Sequence, residues 1–295
     1  MQYAGLGLLR DVLPTTGEPL AEPISFLQAI LLGLVEGITE FLPVSSTGHL
    51  IVADALMGRS DPAFTIAIQV GAITAILVLF WRRLWDAACR LGSSDGDEGV
   101  NLIWLLLAAS VPAIAVGLLF GEAIKSLLFN PITVASTLVV GGVALLGLEA
   151  LLDRRKTQGK KTDGEISKMS WRDALVVGLF QCLALIPGTS RSGATIAGAM
   201  LIGQRRGDAA QFSFLLGLPI LYGAAGKTLV DDWHKLSGEQ LPGLLIATLA
   251  AFISALIIVG PFVRFVQRHS FRPFAWYRIL AGGALFALIG AGVVA

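Results

Sequence analysis

Charge is scarce in this 295-residue sequence: Asp, Glu, Lys and Arg make up 15% of it, against 55% hydrophobic residues. A soluble domain carries roughly 25% charged residues to cover its surface, so a water-soluble globule is excluded. Cysteine is nearly absent. Cys89 and Cys182 are far apart and form no CxxC pair, so both read as free, small apolar residues. The net charge is +1 and the basic residues sit in connecting segments, which leaves no face for nucleic acid. Residues 1–23 hold Arg10, Asp11, Glu18, Glu22 and three prolines (Pro14, Pro19, Pro23). They lack the basic start and unbroken apolar core of a signal peptide, and read as an N-terminal extension without chemistry.

What is abundant is apolar length. Runs near 64–81, 102–120, 132–152, 210–229, 241–263 and 276–294 are long enough to cross a bilayer, which takes about 20 residues of helix. With a mean hydropathy of +0.74, the chain is expected to be an all-α polytopic membrane protein.

Two apolar segments are too short to cross. One runs over 24–43 into Pro43 and a hydroxyl-rich turn, then resumes to Met57; another runs over 172–187 into "PGTSRSG" and resumes to Gly203. Proline and the polar turn break the helix, and Ser or Thr starts the next one. Each reads as a re-entrant helical hairpin. "GLVEGITEFLPVSSTG" (33–48) aligns with "GLFQCLALIPGTSRSG" (178–193) when one residue is dropped before the proline. "AFTIAIQVGA" (63–72) then falls opposite "QFSFLLGLPI" (211–220). The expected organisation is a first membrane repeat over 24–152, a cytoplasmic loop over 153–171 and a second repeat over 172–295. Each repeat is a hairpin followed by three transmembrane helices. An odd number of crossings inverts the second copy, and paired broken helices in inverted halves mark the functional site near the midplane.

Lys and Arg test this topology. Sixteen fall on the proposed inner side: Arg82, Arg83 and Arg90, seven from Arg154 to Arg172, Arg205 and Arg206, and four from Arg264 to Arg278. Five fall outside (Arg10, Arg59, Lys125, Lys227, Lys235), and Arg191 lies in the second turn. This bias places both termini on the outer face.

The chemistry concentrates at the two turns. Glu36 and Glu40 are four apart and share a helix face. Two carboxylates in a low-dielectric site need relief from a divalent cation, a basic partner or a shared proton. Intramembrane ionisable residues are functional by default, though helix packing alone is the plainer alternative. Ser45, Ser46, Thr47 and His49 surround Gly48 where the next helix begins, an anion site built on a helix N-terminus. His49 is the one histidine in an apolar region. Hydrogen-bonded to Ser46 it would be a general base or acid, and it could itself attack phosphorus. The second turn supplies Arg191 between Ser190 and Ser192, with Thr195 beyond. The guanidinium fork matches phosphate oxygens, or it pairs with Glu36 or Glu40. Carboxylates for a metal, hydroxyls, an imidazole and a guanidinium are the parts of phosphoryl transfer. Buried among apolar helices, they imply a substrate with a lipid tail.

"EGITEFLPVSSTGH" and "PGTSRSGAT" resemble the two signature motifs of the bacterial undecaprenyl-diphosphate phosphatase family, the bacitracin-resistance type. "FWRR", "IKSLLFNP" and "FSFLL" fit as well, and the resemblance runs from about residue 24 to the C-terminus. It implies removal of the terminal phosphate of a C55 isoprenyl diphosphate, recycling the lipid carrier for peptidoglycan synthesis. It also implies Mg²⁺ or Ca²⁺ and a site in the inner membrane open to the periplasmic face. Glu36, Glu40, Ser46, His49, Ser190, Arg191 and Thr195 match the family's functional positions. With that resemblance, Glu36 and Glu40 are expected to hold the metal, and Ser45, Thr47, Ser190, Arg191, Ser192 and Thr195 the phosphates. Ser46 is favoured as nucleophile because a helix N-terminus stabilises its charged form, with His49 as its base. Alternatively Ser46 only caps the helix, or His49 or water attacks. A transporter or flippase on the same inverted repeats is the competing class, and a non-catalytic lipid-phosphate receptor a third. Self-association is left open.

Overall fold

A computed structural model describes residues 23–58, 61–91, 101–159, 164–236 and 238–294. The extension expected at 1–23, except its last residue, lies outside them, as do Arg10, Arg59, Lys160 and Lys161. The first half runs α1 (Phe26–Thr39), α2 (Ser46–Leu56), α3 (Pro62–Ala67), α4 (Gln69–Leu79), α5 (Trp81–Cys89), α6 (Leu102–Leu128) and α7 (Pro131–Thr157). The second runs α8 (Trp171–Cys182), α9 (Arg191–Leu201), α10 (Arg206–Asp231), the short α11 (Trp233–Leu236), α12 (Leu241–Arg268) and α13 (Arg272–Gly290).

Among the described residues six segments are long and apolar enough to span a membrane, three in each half: 62–79, 102–128 and 131–157, then 206–231, 238–268 and 272–290. The first is two helices in line, α3 and α4, joined at Ile68. α7 continues through Thr157, into the stretch assigned from sequence to the inner loop. Its last turn carries Arg154, Arg155 and Lys156, where cations suit the negative end of the helix dipole.

The two hairpins repeat in detail. Ser25 opens α1 with a reciprocal capping box to Gln28, and 145 residues later Ser170 opens α8 with the same box to Asp173. Ser45 caps α2 by accepting from the Gly48 amide, and Ser190, again 145 on, caps α9 by accepting from Gly193. Both serines have positive φ, 70° and 71°, the only non-glycine residues to do so among those described. Such a conformation costs about 1–3 kcal/mol and persists only where the surroundings enforce it. The proline is one residue out of step between the turns, as the sequence alignment requires, but the caps are back in register.

Each hairpin is buried against the opposite half. α1 packs on α12, α8 packs on α6, and the two halves also meet through α7–α13 and α4–α10. Small residues allow the first two contacts. A Cβ on Gly33 would lie 2.2 Å from the Ala247 carbonyl oxygen of α12, and one on Gly178 would lie 2.4 Å from that of Ala109 in α6. Between helices in lipid, close backbone approach of this kind supplies the packing that a hydrophobic drive cannot. The exchange brings both turns to the centre of the molecule.

Candidate active site

At that centre is a cavity of about 160 Å³. Glu40, Ser45, Ser46 and Thr47 reach it from the first turn, and Ser190 and Arg191 from the second. Ser46 and Arg191 are the first residues of α2 and α9, so two helix N-termini, whose leading N–H groups lack intrahelical partners, point at one space. Leu185, Ala113 of α6 and Ile220 and Leu221 of α10 form its apolar wall.

The geometry links the two turns through Glu40. The Ser46 hydroxyl donates to Glu40 Oε2 at 2.6 Å, and Arg191 Nη2 donates to Glu40 Oε1 at 3.1 Å. The pair is buried, with Glu40 7% exposed. Arg191 Nη1 donates to the Ser213 carbonyl at 2.5 Å, while its buried Nε has no partner among the described residues. Two of its five N–H groups are thus held by the protein, and Nε–H is left for a ligand.

In the first turn one alternative falls away and one expected pair changes. The helix cap is Ser45, not Ser46, because Ser45 holds the non-helical φ that turns its oxygen back to the Gly48 amide. Ser46 is therefore free to reach Glu40. The expected Ser46–His49 pair is replaced by this Ser46–Glu40 pair. His49 Nδ1 lies 2.7 Å from the Ser45 carbonyl oxygen, which only a protonated nitrogen can satisfy, so Nε2 accepts from the Tyr277 hydroxyl at 2.6 Å. The two rings stack at 5.6 Å. Three residues along a helix leave the two side chains only about 60° apart, but His49 is engaged by Tyr277 of α13 and does not line the cavity.

Other candidates also find internal partners. Ser192 donates to the Leu42 carbonyl at 2.9 Å, tying the second turn to the first. Thr195 is fully buried, with its hydroxyl 2.6 Å from that of Ser213. Glu36 differs from all of these. It is fully buried, and neither carboxylate oxygen has a hydrogen-bond partner among the described residues.

Such an orphaned carboxylate four residues from Glu40 fits a hard divalent cation. Among the described residues no cluster of three or more His, Cys, Asp or Glu is placed to hold a metal, so the protein would supply only these two side chains. That suits Mg²⁺, which keeps water and substrate phosphate as its remaining ligands. Glu40 retains capacity for it, since an ionised carboxylate offers about four lone-pair sites and Ser46 and Arg191 use two.

Sequence reading passed over two glutamines and two α13 residues. Gln69 and Gln181 line the cavity. Gln181 stands 145 residues after Glu36, is 1% exposed, and its Oε1 has no partner among the described residues. Its alignment opposite Glu36 was the available signal. Tyr277 and Arg278 lie in neither motif. Arg278 had been counted with the inner-loop cations, yet it is 1% exposed within α13.

Fold and site together define an integral membrane protein with a buried polar cavity between two helix turns. The model of the bacitracin resistance protein BacA family matches residues 29–284, and this chain belongs to that family. It is 44% identical over 271 residues to an undecaprenyl-diphosphatase of Polaromonas naphthalenivorans, covering 91% of this chain and 96% of the relative. It is also 45% identical over 266 residues to one of Parvibaculum lavamentivorans, covering 88% and 96%. A similar match, 43% over 261 residues, is to undecaprenyl-diphosphatase 1 of Acinetobacter baylyi, covering 87% and 93%.

Proposed function

We propose that this chain hydrolyses undecaprenyl diphosphate to undecaprenyl phosphate and inorganic phosphate, with Ser46 as nucleophile. The observation that carries the reading is the chain of contacts Ser46–Glu40–Arg191 across the two turns. It sets a hydroxyl, its proton acceptor and a guanidinium at one cavity between two helix N-termini. No observation favours a transporter.

Ser46 Oγ forms a bond to the terminal phosphorus as its proton passes to Glu40 Oε2. The bond from that phosphorus to the bridging oxygen breaks, and the lipid monophosphate leaves with both electrons of that bond. Water then attacks the phosphoserine: its hydroxyl joins phosphorus, the P–Oγ bond breaks with both electrons on Ser46 Oγ, Oγ takes the water's other proton, and Glu40 gives up its proton to the released lipid monophosphate. Arg191, through its unpartnered Nε–H, holds a phosphoryl oxygen whose charge grows in the transition state. Ser190 and Thr47 hold oxygens that are not transferred. His49 orders the first turn through Ser45 and Tyr277 rather than moving the Ser46 proton. A divalent cation held by Glu36 and Glu40 would neutralise diphosphate charge. The lipid tail lies along the apolar wall and out into the bilayer. The site opens to the periplasmic face of the inner membrane, supported by the excess of Lys and Arg in the loops assigned to the opposite side.

The test is phosphate release from undecaprenyl diphosphate by purified protein in detergent, where transport is impossible. Quenched reactions mapped by mass spectrometry should carry phosphate on Ser46. Label on His49 would reverse the roles, and inversion at a chiral phosphorus without label would mean direct attack by water.

A further inference from the structure

Arg278 is the largest fully buried side chain among the described residues, and no carboxylate pairs with it there. A guanidinium presents five N–H donors, and five backbone carbonyls receive them. Nη1 donates to Thr189 at 2.8 Å and Pro43 at 3.3 Å, Nη2 to Thr137 at 3.0 Å and Gly188 at 3.2 Å, and Nε to Leu138 at 3.4 Å. The carbonyls come from three places: the first turn, the second turn and α7. Pro43 precedes Ser46 by three residues, and Thr189 precedes Arg191 by two. The space for the head group is made in α7, where a Cβ on Gly141 would fall 2.1 Å from Arg278 Nη2.

Burying a charge is costly, and an apolar side chain of similar volume is often as good for stability or better. Packing alone therefore gives no reason for an arginine here. We propose that Arg278 is a positioning residue: it pins the carbonyls of both hairpin turns to one planar fork and so holds Ser46 and Arg191 in register across the cavity. This rests on the phosphatase reading for its catalytic consequence, but the pinning itself does not. A fork matters because its five donors have fixed relative directions. Lysine keeps the charge but has three donors on one nitrogen, and cannot span three segments in one plane.

The experiment compares wild type with Arg278→Lys in detergent by amide hydrogen exchange and by phosphate release. Exchange should quicken in peptides covering both 43–48 and 188–193, with the rest of the helices unchanged. kcat should fall by about 10²-fold, the scale of a misplacement of about 1 Å, with KM within threefold of wild type. If the lysine variant cannot be purified folded, Gly141→Ala tests the same contact from α7 and should give the same pattern at smaller size. Unchanged exchange in both turns, loosening of one turn alone, or uniform loosening of the whole protein overturns the proposal. So does a purely KM effect. A wild type that releases no phosphate sinks the phosphatase reading, while the exchange data still decide the pinning.

Discussion

The two hairpin turns share a backbone and divide the chemistry. Both start from a capping box, break at a proline, and restart on a serine of positive φ that accepts from a glycine amide. At the first helical position after that serine, one carries Ser46 and the other Arg191. Where α1 has Glu36, α8 has Gln181. The repeated backbone thus builds two helix N-termini facing one cavity. The side chains then put the Ser46 hydroxyl and the carboxylates on one side and the cation on the other. A symmetric pair would place two guanidinium groups or two hydroxyls together, and neither completes a phosphoryl transfer.

The largest effect should come from breaking the first turn's own pair. Ser46→Ala and Glu40→Gln are each expected to lower kcat by about 10³-fold, within the range for losing a nucleophile's proton partner. Because they act as a unit, the double variant should be little worse than either single one. Independent, multiplying losses in steady-state kinetics would separate Glu40 from Ser46.

The second turn is tested next. Arg191→Lys keeps the charge and loses the fork, and should cost about 2–4 kcal/mol of transition-state stabilisation, read as a fall in kcat/KM. An unchanged turnover would leave Arg191 as no more than a partner for Glu40.

Making the halves alike at depth is the third test. Glu36→Gln gives both hairpins an amide at the equivalent position. It should weaken Mn²⁺ binding measured by electron paramagnetic resonance by about tenfold or more, with a matching rise in the Mg²⁺ needed for activity. Gln181→Glu, the reverse change, should leave the Mn²⁺ affinity of the Glu36 site within a few fold. Full activity in EDTA for wild type would remove the metal from the account.

The smallest effect sharpens the likeness instead. Ser45→Ala and Ser190→Ala should each lower stability by about 0.5–2 kcal/mol, and the glycine variants by only a few tenths, since glycine takes positive φ without steric cost. Thermal unfolding in detergent reads both. Costs that differ by more than about 2 kcal/mol between the turns would mean that their shared backbone is not equally strained.

Much of this was legible in the residues. Membrane class, the six crossings and the two broken segments follow from apolar length and from prolines and hydroxyls, which act locally. The clustering of Glu36, Glu40, Ser46 and Arg191 was legible because charge in an apolar segment is conspicuous. The partners were not. Ser46 and His49 are close in sequence, yet a helix turns one towards the cavity and the other towards Tyr277, 228 residues away. Arg278 looked like a loop cation because a cation near the end of an apolar run usually is one.

By itself, then, the sequence determined which segments enter the bilayer, where they break and which chemical groups stand at the breaks, because helix periodicity, capping and hydropathy are short-range properties. Only the tertiary structure decided that Ser46 faces Glu40, that Glu40 faces Arg191 from the other half, and that Arg278 ties both turns to α7. Those pairings depend on how the helices of the two halves pack together, and hydrogen bonds between segments 89 to 235 residues apart leave no periodic trace along the chain.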